Sequence, residues 1–215
     1  AVGADGIGAI NICVPIMMLA TGLGLMMGAG CSVVASIHMA EKKLKAARIN
    51  VMQAWIFTSI VILAMIIPVM IFPSATGRLL GSSEALLPLV REYMLGFMPG
   101  ELFGVRCALL LFVIRLDGNP RLAMWCNVIA AIANIGLDWL MIVHLGWGLA
   151  GAAVASTLSM MIGGLIATWY MLFAARQLRP IRLKWSRRSL LYSVRNIGYQ
   201  CTIGISALMG EGTMA

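Results

Sequence analysis

The sequence predicts an all-α fold: a polytopic membrane helix bundle with five complete transmembrane helices and the start of a sixth. Of the 215 residues, 61% are hydrophobic and only 11% are charged, whereas soluble domains carry about 25% charged residues. A soluble domain of this length could not bury so much apolar surface, so lipid must surround much of it. The charges also lie in short clusters between long uncharged runs, which is typical of loops that flank membrane spans.

Each predicted span follows from its apolar length, because a helix needs about 20 apolar residues to cross the hydrocarbon core. The five complete spans cover residues 7–37, 49–72, 93–114, 122–142 and 148–175, and a sixth apolar segment begins at 196. The first two spans carry no charge, the third contains Glu101 and Arg106, and the fourth contains Asp138. A turn at 117–120 separates the third span from the fourth.

The distribution of Lys and Arg predicts the orientation of the bundle. Loops 41–48, 115–121 and 176–195 together hold thirteen of these residues, and the two alternate loops hold two. Because basic loops stay in the cytoplasm, these three loops are predicted to be cytoplasmic in a multi-pass protein of the cell inner membrane. The first residue would then lie outside, which predicts an odd number of further spans upstream, most simply one. The net charge of +8 is therefore interpreted as an orientation signal that can also meet anionic lipid, and no nucleic-acid partner is expected.

Small and sulfur-containing residues indicate ordinary helix packing. Gly24 and Gly28 have the GxxxG spacing that lets helix backbones approach closely; we interpret it as packing within the chain and expect a monomer. The 17 methionines either line an adaptable pocket or fill the core. The cysteines occupy apolar stretches without a CxxC pair, and we interpret them as packing residues rather than disulfides or metal ligands. They are Cys13, Cys31, Cys107, Cys126 and Cys201.

The main candidate site is formed by Asp138, Asn134 and Ser156. Asn134 lies one turn deeper than Asp138 on the same helix face. The connection to the next span is so short that the two helices must be antiparallel neighbours, which puts Ser156 at a similar depth in the outer half of the membrane. A carboxylate with amide and hydroxyl oxygens nearby can hold a proton or a hard cation such as Na⁺. The alternatives are a hydrogen-bonded clasp between helices, or an aspartate close enough to the outer interface to stay hydrated.

Other polar residues at membrane depth are weaker candidates. Glu101 and Arg106 are five residues apart and so lie on different sides of one helix; each is expected to meet a partner on another helix or a water-filled cavity, in transport or in packing. Glu211 in the last segment and Asn11 in the first are further possibilities. The sequence contains no phosphate loop, HExxH motif or nucleophile elbow. We therefore expect no enzyme and no cofactor, with an ion gradient as the energy source.

Several sequence motifs together resemble those of the MATE (multidrug and toxic compound extrusion) family over nearly the whole chain. The most specific is RLDGNPR, followed by NIGLD and LGWGLAGAA. These three motifs, with ADGIGA, the glycine-rich first span and LLG, occupy residues 115–121, 134–138, 145–153, 4–9, 23–36 and 79–81.

The resemblance implies a transporter of twelve helices in two pseudo-symmetric lobes that exchanges drugs or organic cations for Na⁺ or H⁺ by alternating access. Residues 1–175 would be the N-lobe bundle of family helices two to six. Residues 176–195 would be the basic cytoplasmic link between the lobes, and residues 196–215 the start of helix seven in the C-lobe.

The resemblance also implies roles for individual residues. The positions of Asn134, Asp138 and Ser156 match an N-lobe cation site, which in the family also uses an aspartate on a first helix that this sequence lacks. Ser156 stands where the family commonly has threonine, and it keeps the hydroxyl. Glu211 is a candidate match to the helix-seven glutamate of a C-lobe Na⁺ site in another branch.

The leading hypothesis is thus a cation-coupled exporter of small-molecule drugs. A lipid-linked oligosaccharide flippase of the same superfamily is a close alternative, although its cavity should carry more cationic residues than Arg106 alone. A non-transporting membrane subunit is an alternative of a different class. An intramembrane enzyme is the weakest alternative, since no nucleophile–base pair is visible.

Overall fold

The computed structural model describes residues 3–181 and 187–212, and the side chains of residues 3–181 and 193–205. All regular structure in these residues is helical, which confirms the predicted fold class. Short π-helical turns, Trp139–His144 and Tyr170–Ala174, continue α5 and α6. The helices are α1 Ala4–Ala40, α2 Leu44–Ile71, α3 Pro73–Leu79, α4 Leu87–Leu116, α5 Pro120–Asp138, α6 Gly148–Trp169 and α7 Arg187–Gly212.

Five of the described helices are long and apolar enough to cross a membrane, in agreement with the five predicted complete spans. The surface is also apolar: on the last turns of the fourth span, Ile135, Trp139 and Val143 are each more than 60% exposed. Monomeric soluble proteins rarely expose so large an apolar surface to water. The chain is therefore a multi-pass membrane protein.

Helix α7 begins earlier than the sequence indicated. It starts at Arg187, so residues 187–195 of the basic segment are helical, whereas we expected the helix to start at 196. Basic residues have good helix propensity, and no Gly or Pro occurs between Arg187 and Ile197 to interrupt a helix. The clustered charges of residues 187–195 indicated a loop, but the helix propensity of these residues favours a helix.

Helix α4 is the centre of the bundle and packs closely on α6 through a stripe of glycines, Gly96, Gly100 and Gly104. A Cβ atom on Gly100 would lie 2.6 Å from the Cα atom of Thr157. The hydroxyl of Thr157 donates to the carbonyl oxygen of Gly96 at 2.7 Å, so the helices also share a hydrogen bond. Small residues at every fourth position allow this approach, and their spacing did not enter the sequence-based prediction.

A methyl group at Gly100 is therefore expected to destabilise the protein. We expect Gly100→Ala to lower the free energy of unfolding by about 1–3 kcal/mol, because the Thr157 backbone must move to admit the new atom. Gly136→Ala on α5 is the matched control, since a Cβ there meets nothing within 4 Å. Unfolding of the purified full-length protein in detergent measures both. Equal stability of the two variants would contradict the packing described.

Two predictions about small residues are confirmed. Gly24 and Gly28 of α1 face α4 within the chain, where added Cβ atoms would press on Val105 and Phe112. The cysteines form no disulfide among the described residues, and all but the half-buried Cys201 are buried in the apolar interior.

One end of the bundle, here called the basic end, gathers the Lys- and Arg-rich connections. It contains the α1–α2 turn, the α4–α5 turn and the segment that follows α6. The Arg48 Nε atom on α2 donates to the backbone oxygen of Gln177 at 2.6 Å, which ties two of these connections together.

Candidate functional site

Asp138 is the last residue of α5, where the α-helix passes into a π-helical turn. Such turns are frequent at functional sites because they shift side chains out of regular register. The side chain is half-buried, and its Oδ1 atom is shielded from solvent with no hydrogen-bond partner among the described residues. A shielded carboxyl oxygen without a partner is costly, so this atom is available to a proton or a cation.

The packing of α5 against α6 fixes the relative depth of the three predicted site residues. A Cβ atom on Gly163 would lie 3.2 Å from the Cβ atom of Ala130, and one on Gly151 would lie 3.1 Å from the backbone oxygen of Met141. The helices are thus antiparallel, and Ser156 falls at a level between Asn134 and Asp138. Ser156 is seven residues from Gly163, so it lies on the same helix face.

The three residues therefore lie at one helix interface and at neighbouring depths, and each is half-buried. In the described part of the chain no hydrogen bond joins Asn134, Asp138 and Ser156. The hydroxyl of Ser159 donates to the backbone oxygen of Ser156 at 2.8 Å, and within residues 3–181 and 193–205 the Ser156 hydroxyl makes no hydrogen bond of its own. The interface holds carboxyl, amide and hydroxyl oxygens that are not committed to one another.

Glu101 is a second carboxyl at membrane depth, on the central helix α4. It is only 2% exposed, and no ion pair or hydrogen bond to it occurs within residues 3–181 and 193–205. The hydroxyl of Tyr93 lies within electrostatic range of both Glu101 and Asp138. Tyr93 precedes Glu101 by about two turns of α4, and its proximity to both carboxyls was not predicted from the sequence.

Arg106 meets a partner on another helix, as the sequence predicted. Its Nε atom donates to the Ser59 hydroxyl of α2 at 3.0 Å, and the Ser59 hydroxyl donates to the backbone oxygen of Trp55 at 2.7 Å. Arg106 forms no ion pair with Glu101, which also agrees with the predicted separation. The guanidinium thus interacts with α2 and leaves the Glu101 carboxyl unpaired within the described residues.

The remaining candidates are not brought to this interface. Asn11 is exposed on α1. The side chain of Glu211 lies outside the described residues. In the part that the structure describes, no three His, Cys, Asp or Glu side chains come together to hold a metal ion, so a Na⁺ ion at Asp138 would depend on the amide and hydroxyl oxygens beside it.

Asp117 forms a polar site at the basic end that the sequence did not reveal. It is 2% exposed and accepts a hydrogen bond from the Tyr170 hydroxyl at 2.8 Å. It also accepts from three successive backbone N–H groups at 2.7 Å each, those of Arg176, Gln177 and Leu178. The sequence marked Asp117 only as part of a turn, because its partners are more than fifty residues away. The carboxylate fixes the point at which the segment after α6 leaves the bundle.

A cluster of amide side chains joins α2 to α7 near the same end. The Nδ2 atom of Asn196 donates to Asn50 and, at 2.7 Å, to the Oε1 atom of Gln53. The Nε2 atom of Gln53 donates to the Ser193 hydroxyl at 2.8 Å, and Gln200 donates to Asn50 at 3.3 Å. Uncharged amides inside apolar segments are a signal in the sequence that could have indicated this cluster.

Comparison with known proteins identifies the family. Residues 1–140 match the family model described as MatE. The chain belongs to the MatE family. This confirms the resemblance drawn from the motifs.

Individual MatE relatives agree with this assignment. The chain is 25% identical over 200 residues to the FAD transporter of Shewanella oneidensis, across 86% of this chain and 43% of the relative. A crystal structure of MATE in the bent conformation superposes with a TM-score of 0.81 at 22% identity, covering 93% of this chain and 45% of that one. The inward-facing conformation of a multidrug resistance MATE family transporter gives a TM-score of 0.80 at 22% identity, with 97% and 48% covered. The chain thus spans a little under half the length of these relatives, and it shares the fold of the two solved structures.

Proposed function

We propose that the full-length protein is a cation-coupled antiporter that exports small organic molecules across the cytoplasmic membrane by alternating access. The observation that carries this proposal is the pair of carboxyls, Glu101 and Asp138, held at membrane depth with no cationic partner among the described residues. Ionisable groups in the bilayer are rare and usually mark ion pathways. Either Na⁺ or H⁺ can neutralise such a group.

The proposed orientation places the basic end in the cytoplasm and Asp138 near the outer surface. In this topology residues 1–175 form the N-lobe, the basic segment 176–195 links the lobes, and the following residues begin the C-lobe. The coupling cation would reach Asp138 from outside, where Asn134 and Ser156 add oxygen ligands. From there the cation would pass to Glu101, which lies deeper on α4.

The packing of the bundle suggests how binding would move the helices. Helix α4 is held to α6 by the glycine stripe and by the bond from Thr157 to Gly96. Helix α5 is mostly exposed on the surface of the described bundle, and its polar side chains make no hydrogen bonds to the described residues of α6. Neutralising Asp138 removes the cost of a charge in this interface, so α5 is the element proposed to shift when the cation binds.

The test is Asp138→Asn in the full-length protein, expressed in a drug-sensitive host. We expect drug resistance to fall to that of cells without the transporter, while expression stays normal. The reason is that an amide cannot take up the coupling proton and carries no negative charge to balance a bound cation. Asp5→Asn is the matched control, since it removes the same charge from an exposed position at the start of α1. Normal resistance in the Asp138 variant would refute the coupling role.

FAD is a second candidate substrate beside drugs and organic cations, because the relative from Shewanella oneidensis is named as an FAD transporter. Gradient-driven efflux of FAD, measured beside a cationic dye in the same vesicles, decides between these classes. A non-transporting subunit would move neither compound. A flippase for lipid-linked oligosaccharides is disfavoured because Arg106, the cation within the predicted spans, is occupied by Ser59.

A further inference from the structure

A cavity lined by both polar and apolar groups opens at the basic end between α1, α2 and α7. Its volume is about 510 Å³, and none of its lining residues belongs to the carboxyl interface described above. The lining residues are His38, Ala46, Ile49, Asn50, Gln53, Arg195, Asn196 and Tyr199. The amide cluster that joins α2 to α7 therefore forms part of its wall.

The hydrogen bonds of that cluster hold its amides in fixed positions but leave some polar atoms free. In the described residues, every hydrogen bond made by the Asn50 side chain uses its oxygen, so the two N–H groups of its Nδ2 atom have no protein partner there. The Asn196 side chain bonds to those same residues through its Nδ2 atom, so its Oδ1 atom accepts no hydrogen bond from them. The cavity wall thus includes one amide donor and one amide oxygen that no described residue uses.

The charge of the cavity is positive. Arg195 lines it, and none of the described lining residues is Asp or Glu. A carboxylate close by is Glu41, which lies 3.9 Å from His38 and 2.9 Å from the ammonium group of Lys43. The hydrogen bond from Lys43 lowers the pKa of Glu41, so this carboxylate is already paired, and within the described residues it leaves the Arg195 charge uncompensated in the cavity.

An aromatic ring completes the site. Tyr199 lines the cavity and is 55% exposed, so its ring offers a flat apolar face. A guanidinium recognises an anionic group such as a phosphate or carboxylate, amides recognise hydrogen-bonding edges, and an aromatic face stacks on a planar ring.

We propose that this cavity binds a soluble organic anion that carries a planar, hydrogen-bonding ring system, and that it is the cytoplasmic entry site for the exported substrate. The role as an entry site rests on the proposed transport function, whereas the ligand class rests on the lining residues. It assigns an anion to a chain whose family resemblance implies organic cations.

Two fluorescent dyes of similar shape and opposite charge test the site. Fluorescence anisotropy of carboxyfluorescein and of rhodamine 123 is measured on the purified full-length protein in phosphatidylcholine nanodiscs. We expect carboxyfluorescein to bind at least about tenfold more tightly, and Arg195→Gln to weaken it by about tenfold. Arg179→Gln, an exposed residue of the basic end outside the cavity, is the control and should change little. Equal binding of the two dyes, or an equal loss in both variants, overturns the proposal.

Two further measurements test whether the dye site is a lipid-headgroup site and whether Arg195 has only a structural role. Adding phosphatidylglycerol to the nanodiscs should leave carboxyfluorescein binding unchanged, and displacement of the dye would show a lipid-headgroup site instead. Arg195→Lys should retain most of the binding, since it keeps the charge; a loss as large as that of Arg195→Gln would contradict recognition by charge.

Binding and transport can fail separately. Because binding is measured without a gradient, dye binding without gradient-driven efflux would refute the proposed function alone. Efflux that is insensitive to Arg195→Gln would refute the entry site alone.

Discussion

Asp117→Ala is expected to lower the free energy of unfolding of the full-length protein by about 3–5 kcal/mol. The substitution leaves the Tyr170 hydroxyl and three backbone N–H groups without their acceptor. Removing one partner of a buried, charge-assisted network has this magnitude because the remaining groups stay desolvated. The segment at residues 175–181 should become the first site of proteolysis, since Asp117 holds it against the α4–α5 turn.

Detergent unfolding and limited proteolysis measure the two effects. Glu84→Ala is the control: Glu84 also forms an ion pair, with Arg78 at 3.0 Å, but its side chain is 75% exposed. Exposed pairs contribute about 0–1 kcal/mol, so this variant should unfold like the parent. If the Asp117→Ala and Glu84→Ala variants have the same free energy of unfolding and residues 175–181 resist the protease, Asp117 does not anchor this segment.

Glu101→Gln is expected to abolish coupled transport while leaving the fold intact or more stable. Glu101 is buried and has no ion pair or hydrogen bond in the part of the chain that the structure describes, so its neutral isostere loses no contact. A neutral amide also costs less to bury than a charged carboxylate. The same change removes the group proposed to take the cation after Asp138, and transport should fall to background.

The opposite directions of these effects make the prediction specific. Glu92→Gln, an exposed residue on the same helix, should alter neither efflux nor unfolding. A Glu101 variant that unfolds readily would indicate that the carboxyl has a structural partner. A stable variant with normal efflux would remove Glu101 from the ion path.

Much of the fold was predictable because lipid imposes simple rules on a sequence. Span length and the alternation of charged loops predicted all five complete helices, and the short connection after the fourth span predicted the antiparallel pairing of α5 and α6. The predicted start of α7 was wrong because the density of basic residues cannot distinguish a basic helix from a basic loop. The stripe of Gly96, Gly100 and Gly104 was visible in the sequence and could have been found from its spacing.

The candidate site was predictable only where its residues share a helix or neighbouring helices. Asn134 and Asp138 are one turn apart, and the level of Ser156 follows from the connection between the helices. The partners of Asp117 and the pairing of Asn50 with Asn196 depend on helices far apart in sequence. Such contacts are set by tertiary packing, which periodicity does not encode.

The most direct test of ion coupling is a paired flux measurement on the full-length protein in proteoliposomes. An imposed Na⁺ or proton gradient is followed by simultaneous recording of cation flux and efflux of a fluorescent drug. We expect the two fluxes to run in opposite directions and both to disappear in Asp138→Asn and Glu101→Gln. Drug movement that needs no gradient, or that persists with both carboxyls neutralised, would contradict the role of these residues.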